Sequence, residues 1–170
     1  MNENKYIANL LGAFATEVSS RIENEILNLG GRSLNHEAAL VAIYNHPEET
    51  IDVLSKVLGL THSGAVRLIN TLEAEKLVKR VKSKLDARSV VLTITEQGAS
   101  RVSRVLAARE KVTTDLLSHY DDESRQQLIT LLEVCLGNFT NQKIKAQRVC
   151  RLCNEDICRK AGCPVEKSIS

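Results

Sequence analysis

Residues 50–60 read TIDVLSKVLGL, residues 61–80 THSGAVRLINTLEAEKLVKR, and residues 81–98 VKSKLDARSVVLTITEQG. Thr50 is placed to cap a short helix, Ile51 to Leu58, because its hydroxyl can accept from an amide that the first turn leaves unpaired. Gly59 then closes that helix, since glycine enters the left-handed conformation without steric cost. A second capping threonine, Thr61, follows two residues later, so the next helix begins almost at once. A turn this brief makes two helices cross rather than lie side by side, which predicts a helix-turn-helix.

On the second helix Val66, Ile69 and Leu72 recur at helical spacing and are expected to face the core, which turns Ser63, Arg67 and Asn70 outward. The outer stripe carries no acid. Recognition helices read base edges with residues near their N-terminus, so Thr61, His62, Ser63 and Arg67 are candidate groove contacts, with Asn70 further along the same face. The plain alternative is a solvated surface with a helix cap. Gly64, inside this helix, costs about 1 kcal/mol relative to alanine; it reads as tolerated, with close backbone approach to DNA as the other reading.

The charged run from Lys79 to Arg88 holds Lys79, Arg80, Lys82, Lys84 and Arg88 against one acid, Asp86. It separates Leu77-Val78 from the β-branched run Val90 to Thr95, a strand–loop–strand pattern that predicts a hairpin. A charge run by itself is usually a solvated face. A basic hairpin tip beside a recognition helix suits a phosphate backbone or a narrow minor groove, and Lys82, Lys84 and Arg88 are its candidate contacts.

With these residues in view the chain resembles the MarR family of bacterial transcription regulators. The resemblance rests on LEAEKLVKR at 72–80, the D-x-R of Asp86 and Arg88, and VVLTITEQG at 90–98 leading into a long helix. By order of elements it spans roughly Ile7 to Thr140 and is specific only in the winged segment. It implies that Arg88 enters the minor groove, that Asp86 helps to hold the wing, and that two copies pair through their terminal helices. It also implies that a small-molecule inducer, often an aromatic acid in that family, acts between the dimer helices and the winged lobe.

The remaining sequence fits a mainly α fold. Of 170 residues 43% are apolar but only 3% aromatic, and Trp is absent, so Leu, Val, Ile and Ala must do the packing. The net charge of +2 is too small to argue for nucleic acid, and the clustering in the wing matters more than the sum. No apolar run is long enough to cross a membrane, and the polar start from Met1 to Tyr6 is unlike a signal peptide, so a cytoplasmic protein with reduced thiols is expected. Ile7, Leu11, Phe14, Val18, Ile22 and Ile26 make one stripe along a first helix, stopped by Gly30-Gly31. Asn35 is expected to cap the next helix, which runs through Tyr44. After the wing, a helix from Gln97 to His119 and another capped by Asp121 carry apolar stripes, the second including Cys135, read as a small buried hydrophobe. His36, His46 and His119 have no partner at ligand spacing and read as surface or capping residues.

These readings divide the chain into residues 1–141, a winged helix-turn-helix domain, and residues 142–170, a cysteine-rich extension. Within the first, the DNA-binding lobe covers about 33–98, and dimerisation helices about 5–29 and 97–141. The terminal helices lie outside the winged unit yet are strongly amphipathic, so a homodimer is expected, with a larger monomeric helical core as the alternative.

In the extension, CRLCNEDICRKAGCPVE places Cys150, Cys153, Cys158 and Cys163 in a C-x2-C-x4-C-x4-C pattern. Four thiolates can close a tetrahedral shell, and spacers of this length let the chain wrap an ion. Zinc is the expected metal. An iron–sulfur cluster is the alternative, since Cys163-Pro164 resembles the Cys-Pro that closes many ferredoxin runs. The site is expected to be structural or sensory. Free thiols on a disordered tail and an oxidised pair remain the plain alternatives.

The expected function is a non-enzymatic transcription regulator, with repression the expected mode, that binds a double-stranded DNA operator as a homodimer and has no membrane partner. The competing class is a thiol redox or iron–sulfur electron-transfer protein whose cysteine tail is the working site.

Overall fold

The computed structural model describes residues 2–86 and 88–169. The elements run α1 (Glu3–Leu27), α2 (Leu34–Asn45), α3 (Ile51–Leu58), α4 (His62–Ala74), β1 (Val78–Lys82), β2 (Val90–Ile94), α5 (Glu96–Leu117), α6 (Asp122–Gly137), α7 (Lys143–Cys150), α8 (Glu155–Ala161) and α9 (Pro164–Lys167). The fold is mainly α with one antiparallel hairpin, a winged helix-turn-helix. Among the described residues no helix is long and apolar enough to cross a membrane.

The local signals of the winged segment are realised at the hydrogen-bond level. Thr50, Thr61 and Thr95 each cap a helix, accepting from the amides of Val53, Gly64 and Gly98. Gly59 ends α3 with φ of 67°, and Asp121 caps α6 by accepting from the Ser124 amide at 2.8 Å. The second helix starts earlier than expected. Its N-cap is Ser33 rather than Asn35, because half-buried Leu34 already packs on the core, and the Ser33 hydroxyl meets His36 Nδ1 at 2.7 Å instead of capping.

The core sits between α2, α3, α4, the hairpin and the middle of α5. Leu40, Ile43, Ile69, Leu72, Leu92, Val102 and Val105 are almost fully buried there. On α4 the inward side is Ala65, Leu68, Ile69 and Leu72, while Val66 is only half-buried. Gly98 is needed where the first turn of α5 crosses β1, since a Cβ there would collide with the Leu77 carbonyl oxygen.

A buried ion pair stitches this unit to α1. Glu37 on α2 is fully buried, and Arg101 on α5 donates to it from Nε at 3.1 Å and from Nη2 at 2.5 Å. Arg101 Nη1 donates to the Leu29 carbonyl at 2.6 Å, just past the end of α1. A buried charge without a partner would be prohibitively costly, so the two residues fix each other's place.

The terminal helices differ from this unit. Only the last turns of α1 reach the core, through Ile22 and Ile26, whereas Ile7, Leu11 and Phe14 are exposed, Leu11 by 64%. No residue of α6 is buried, Leu131 is 65% exposed, and Cys135 lies open on the surface rather than within a core. The stripes exist as expected, but within one protomer most of their length packs on nothing.

Candidate nucleic-acid interface and cysteine cluster

The exposed face of α4 starts with Thr61, His62 and Ser63, and continues through Arg67 and Asn70. Thr61 serves as the cap, and its hydroxyl also lies 3.3 Å from Ser63 Oγ. That arrangement accounts for Gly64: an added Cβ would stand 3.1 Å from Thr61 Oγ1, tight against the atom that caps the helix. His62 Nδ1 is 2.7 Å from Asp52 on α3, an exposed pair that orients the ring and contributes little stability.

The first strand of the wing runs further into the charge run than the sequence suggested. Lys79, Arg80 and Lys82 belong to β1, which pairs with β2 from Val78 opposite Ile94 to Lys82 opposite Val90. Along β1 Val78 is buried and Arg80 and Val81 are half-buried, while Lys79 and Lys82 are exposed. Arg80 is an internal clamp: its guanidinium binds Glu73 and donates at 2.8 Å to Asn70 Oδ1, both on α4. One oxygen of a candidate groove residue is therefore spent on fixing the wing to the recognition helix.

At the tip, Asp86 accepts from the Arg88 amide at 3.0 Å and from Ser89 Oγ at 2.9 Å. These bonds, the backbone one foremost, hold its carboxyl below the usual carboxylate range. The turn that aims Arg88 is thus built on a charged acceptor. Among the described residues Lys79, Lys82, Lys84 and Arg88 are exposed and have no ion-pair partner, as does Arg67 on α4. The molecule brings a row of unneutralised cations beside an acid-free helix face.

The cysteine tail is folded onto the winged lobe. Cys150 ends α7, Cys153 lies in the following turn, Cys158 is on α8, and Cys163 precedes α9. All four line one cavity of about 270 Å³ together with His46, Gln147, Glu155 and Arg159. As placed, no three His, Cys, Asp or Glu side chains among the described residues converge on a point that could hold one ion. The four are free thiols, and the Cys150–Cys153 contact pulls the pair apart electrostatically. A hydrogen bond from Cys150 lowers the Cys153 thiol to about 6, helped by Arg109 and Arg151, while Cys150, the donor, is pushed up. Burial raises Cys158. The donor chemistry fits a thiolate-bound metal centre, since Arg109 and Arg151 favour the Cys153 thiolate.

Sequence reasoning missed the residues that dock this tail. Asn45 Nδ2 donates to the Cys153 carbonyl at 3.0 Å, and His46 Nε2 lies 2.9 Å from buried Glu155. Gln147, itself buried, reaches Glu49 from α7. Their partners stand 98 to 109 residues away, so no spacing rule could have paired them.

The architecture and the wing define a winged helix-turn-helix protein. Residues 31–89 match the model described as MarR family. An uncharacterized HTH-type transcriptional regulator of Bacillus subtilis (strain 168), YdgJ, is 24% identical over 65% of this chain and 68% of its own. A MarR family protein from Bacillus stearothermophilus superposes with a TM-score of 0.66 at 25% identity, over 80% of this chain and 93% of that one. A mutant of S. aureus MepR bound to an oligodeoxyribonucleotide gives a TM-score of 0.58 at 20% identity, over 79% of this chain and 98% of that one. Over residues 31–89, its winged lobe, the chain is thus similar to the MarR family.

Proposed function

We propose that the protein is a transcription regulator that binds duplex DNA as a homodimer. The observation that carries this reading is the pairing of an acid-free α4 face with unneutralised Lys82, Lys84 and Arg88 on a wing clamped to the same helix by Arg80. Phosphate neutralisation by the wing would supply affinity, and Thr61, His62, Ser63 and Arg67 would read base edges. The exposed apolar faces of α1 and α6 call for a second copy. A twofold axis then sets two α4 helices about 34 to 36 Å apart, or a multiple, to meet half-sites on one face of the duplex. The bound state of the MepR mutant supports the same partner for this chain.

The four cysteines are the metal site of this regulator, with zinc or an iron–sulfur cluster as occupant. An inducing small molecule is a further expectation of the family. The decisive experiment is binding to duplex DNA followed against salt. A steep linear fall of log affinity with log salt, at dimer stoichiometry, supports the proposal. A salt-independent or absent interaction refutes it.

A further inference from the structure

The cysteine tail touches both halves of the proposed machine. Helix α7 packs along α3, and α9 packs on α6. The contact with α3 falls at its most consequential point: the Arg148 guanidinium lies over Gly59, so that a Cβ there would meet Arg148 Nη2 at 2.9 Å. Gly59 is the turn between α3 and the recognition helix α4. Gln147, beside it, inserts between α2, α3 and β2, lining a small gap with Ile43, Val53, Leu54 and Leu92. Its Oε1 is buried without a hydrogen-bond partner. At the other end, Ser168 Oγ donates to the Thr140 carbonyl at 2.7 Å, tying the end of α9 to the segment after α6.

Cys150 closes the helix that presses on α3, and Cys163 opens the helix that rests on α6. A centre that binds all four thiolates would therefore lock α7, α8 and α9 into one strut between the α6 face and the helix-turn-helix. Helices this short do not hold themselves. Seven to eight residues in α7 and α8 and four in α9 depend on an outside tie.

Four cysteines along the wall of one cavity are a donor set that zinc or an iron–sulfur cluster takes.

Resting on the regulator reading above, we propose that a metal centre held by the four cysteines braces α7 against the α3–α4 turn, so that the loaded protein binds DNA more tightly than the stripped one. The coupling is mechanical: the brace fixes α3, and α3 fixes the entry of α4 into the groove.

The test uses the full chain purified without oxygen. Zinc, or iron with acid-labile sulfide, bound in the native protein supports the centre; no bound metal overturns it. Hydrogen exchange is then compared between loaded and chelator-stripped protein. Faster exchange across residues 51–60 after stripping supports the strut, and unchanged exchange there overturns it. Affinity is read on a duplex selected by the loaded protein from a random-sequence pool. Stripping should weaken binding roughly 5- to 150-fold, and equal affinity of the two forms overturns the coupling. Arg148→Ala should keep the metal and reduce that difference; a full difference in this variant assigns the brace elsewhere and overturns the route through Gly59. If neither form binds any duplex, the regulator reading falls, while metal content and exchange at residues 51–60 still decide the strut.

Discussion

The winged lobe and the terminal helices are built from the same aliphatic residues and end in opposite states. In the lobe, Leu40, Ile69, Leu72 and Leu92 vanish from solvent, and even a carboxylate, Glu37, is enclosed with its arginine. Along the first half of α1 and much of α6, Leu11, Phe14, Leu131 and Leu132 stay open. Amphipathicity creates a demand for burial, but only neighbours within reach can meet it. The lobe closes on itself because α2 to α5 cross at short range around the hairpin. The long helices extend past that core, so their demand is left for another molecule.

This contrast can be broken from either side. The largest effect is expected inside the lobe, where Arg101→Met would strand Glu37 and cost about 3 to 5 kcal/mol in chemical denaturation. A loss below 1 kcal/mol would mean that Arg32, 3.9 Å from Glu37, takes over the pairing. On the open face, Leu131→Lys should leave the lobe folded and weaken self-association by on the order of 3 kcal/mol, the apolar burial removed. Sedimentation checks it; an unaltered dimer would move the interface off α6.

Smaller effects sharpen the functional half of the comparison. Arg88→Ala should lose about 1 to 3 kcal/mol of DNA binding, and Lys84→Ala should lower the salt slope by about one unit, both by fluorescence anisotropy across a salt series. Parental behaviour in both variants would remove the wing from the interface. Least of all, Gly64→Ala should gain less than the roughly 1 kcal/mol that helix propensity offers. Contact with Thr61 Oγ1 takes part of it back. A thermal melt showing the full gain would mean that the cap adjusts freely.

Much of the site could be read before any fold was known, because its signals are local. Thr50, Thr61 and Asp121 each accept from the amide three residues on, and Gly59 ends α3 in the left-handed conformation, all where the spacing placed them. The hairpin followed from a β-branched run and a charged turn, although β1 takes in Lys79 to Lys82, which pair with Thr93 to Val90 across the ladder. Asn35 misled as a cap since burial of Leu34 outweighed a preferred side chain. Cys135 misled for a related reason: its stripe is apolar, but the surface that would bury it is not part of this protomer.

The amino-acid order alone determined the winged segment, its row of cations and the four-cysteine set, since periodicity, capping and ligand spacing act over one or two turns of chain. Only the tertiary structure decided that Arg80 is a clamp rather than a free cation, that Glu37 meets Arg101, and that the cysteine tail lies against the turn at Gly59. Those contacts join residues ten to about a hundred positions apart. Nothing in the local energetics of a chain fixes such partners until packing of the whole excludes the alternatives.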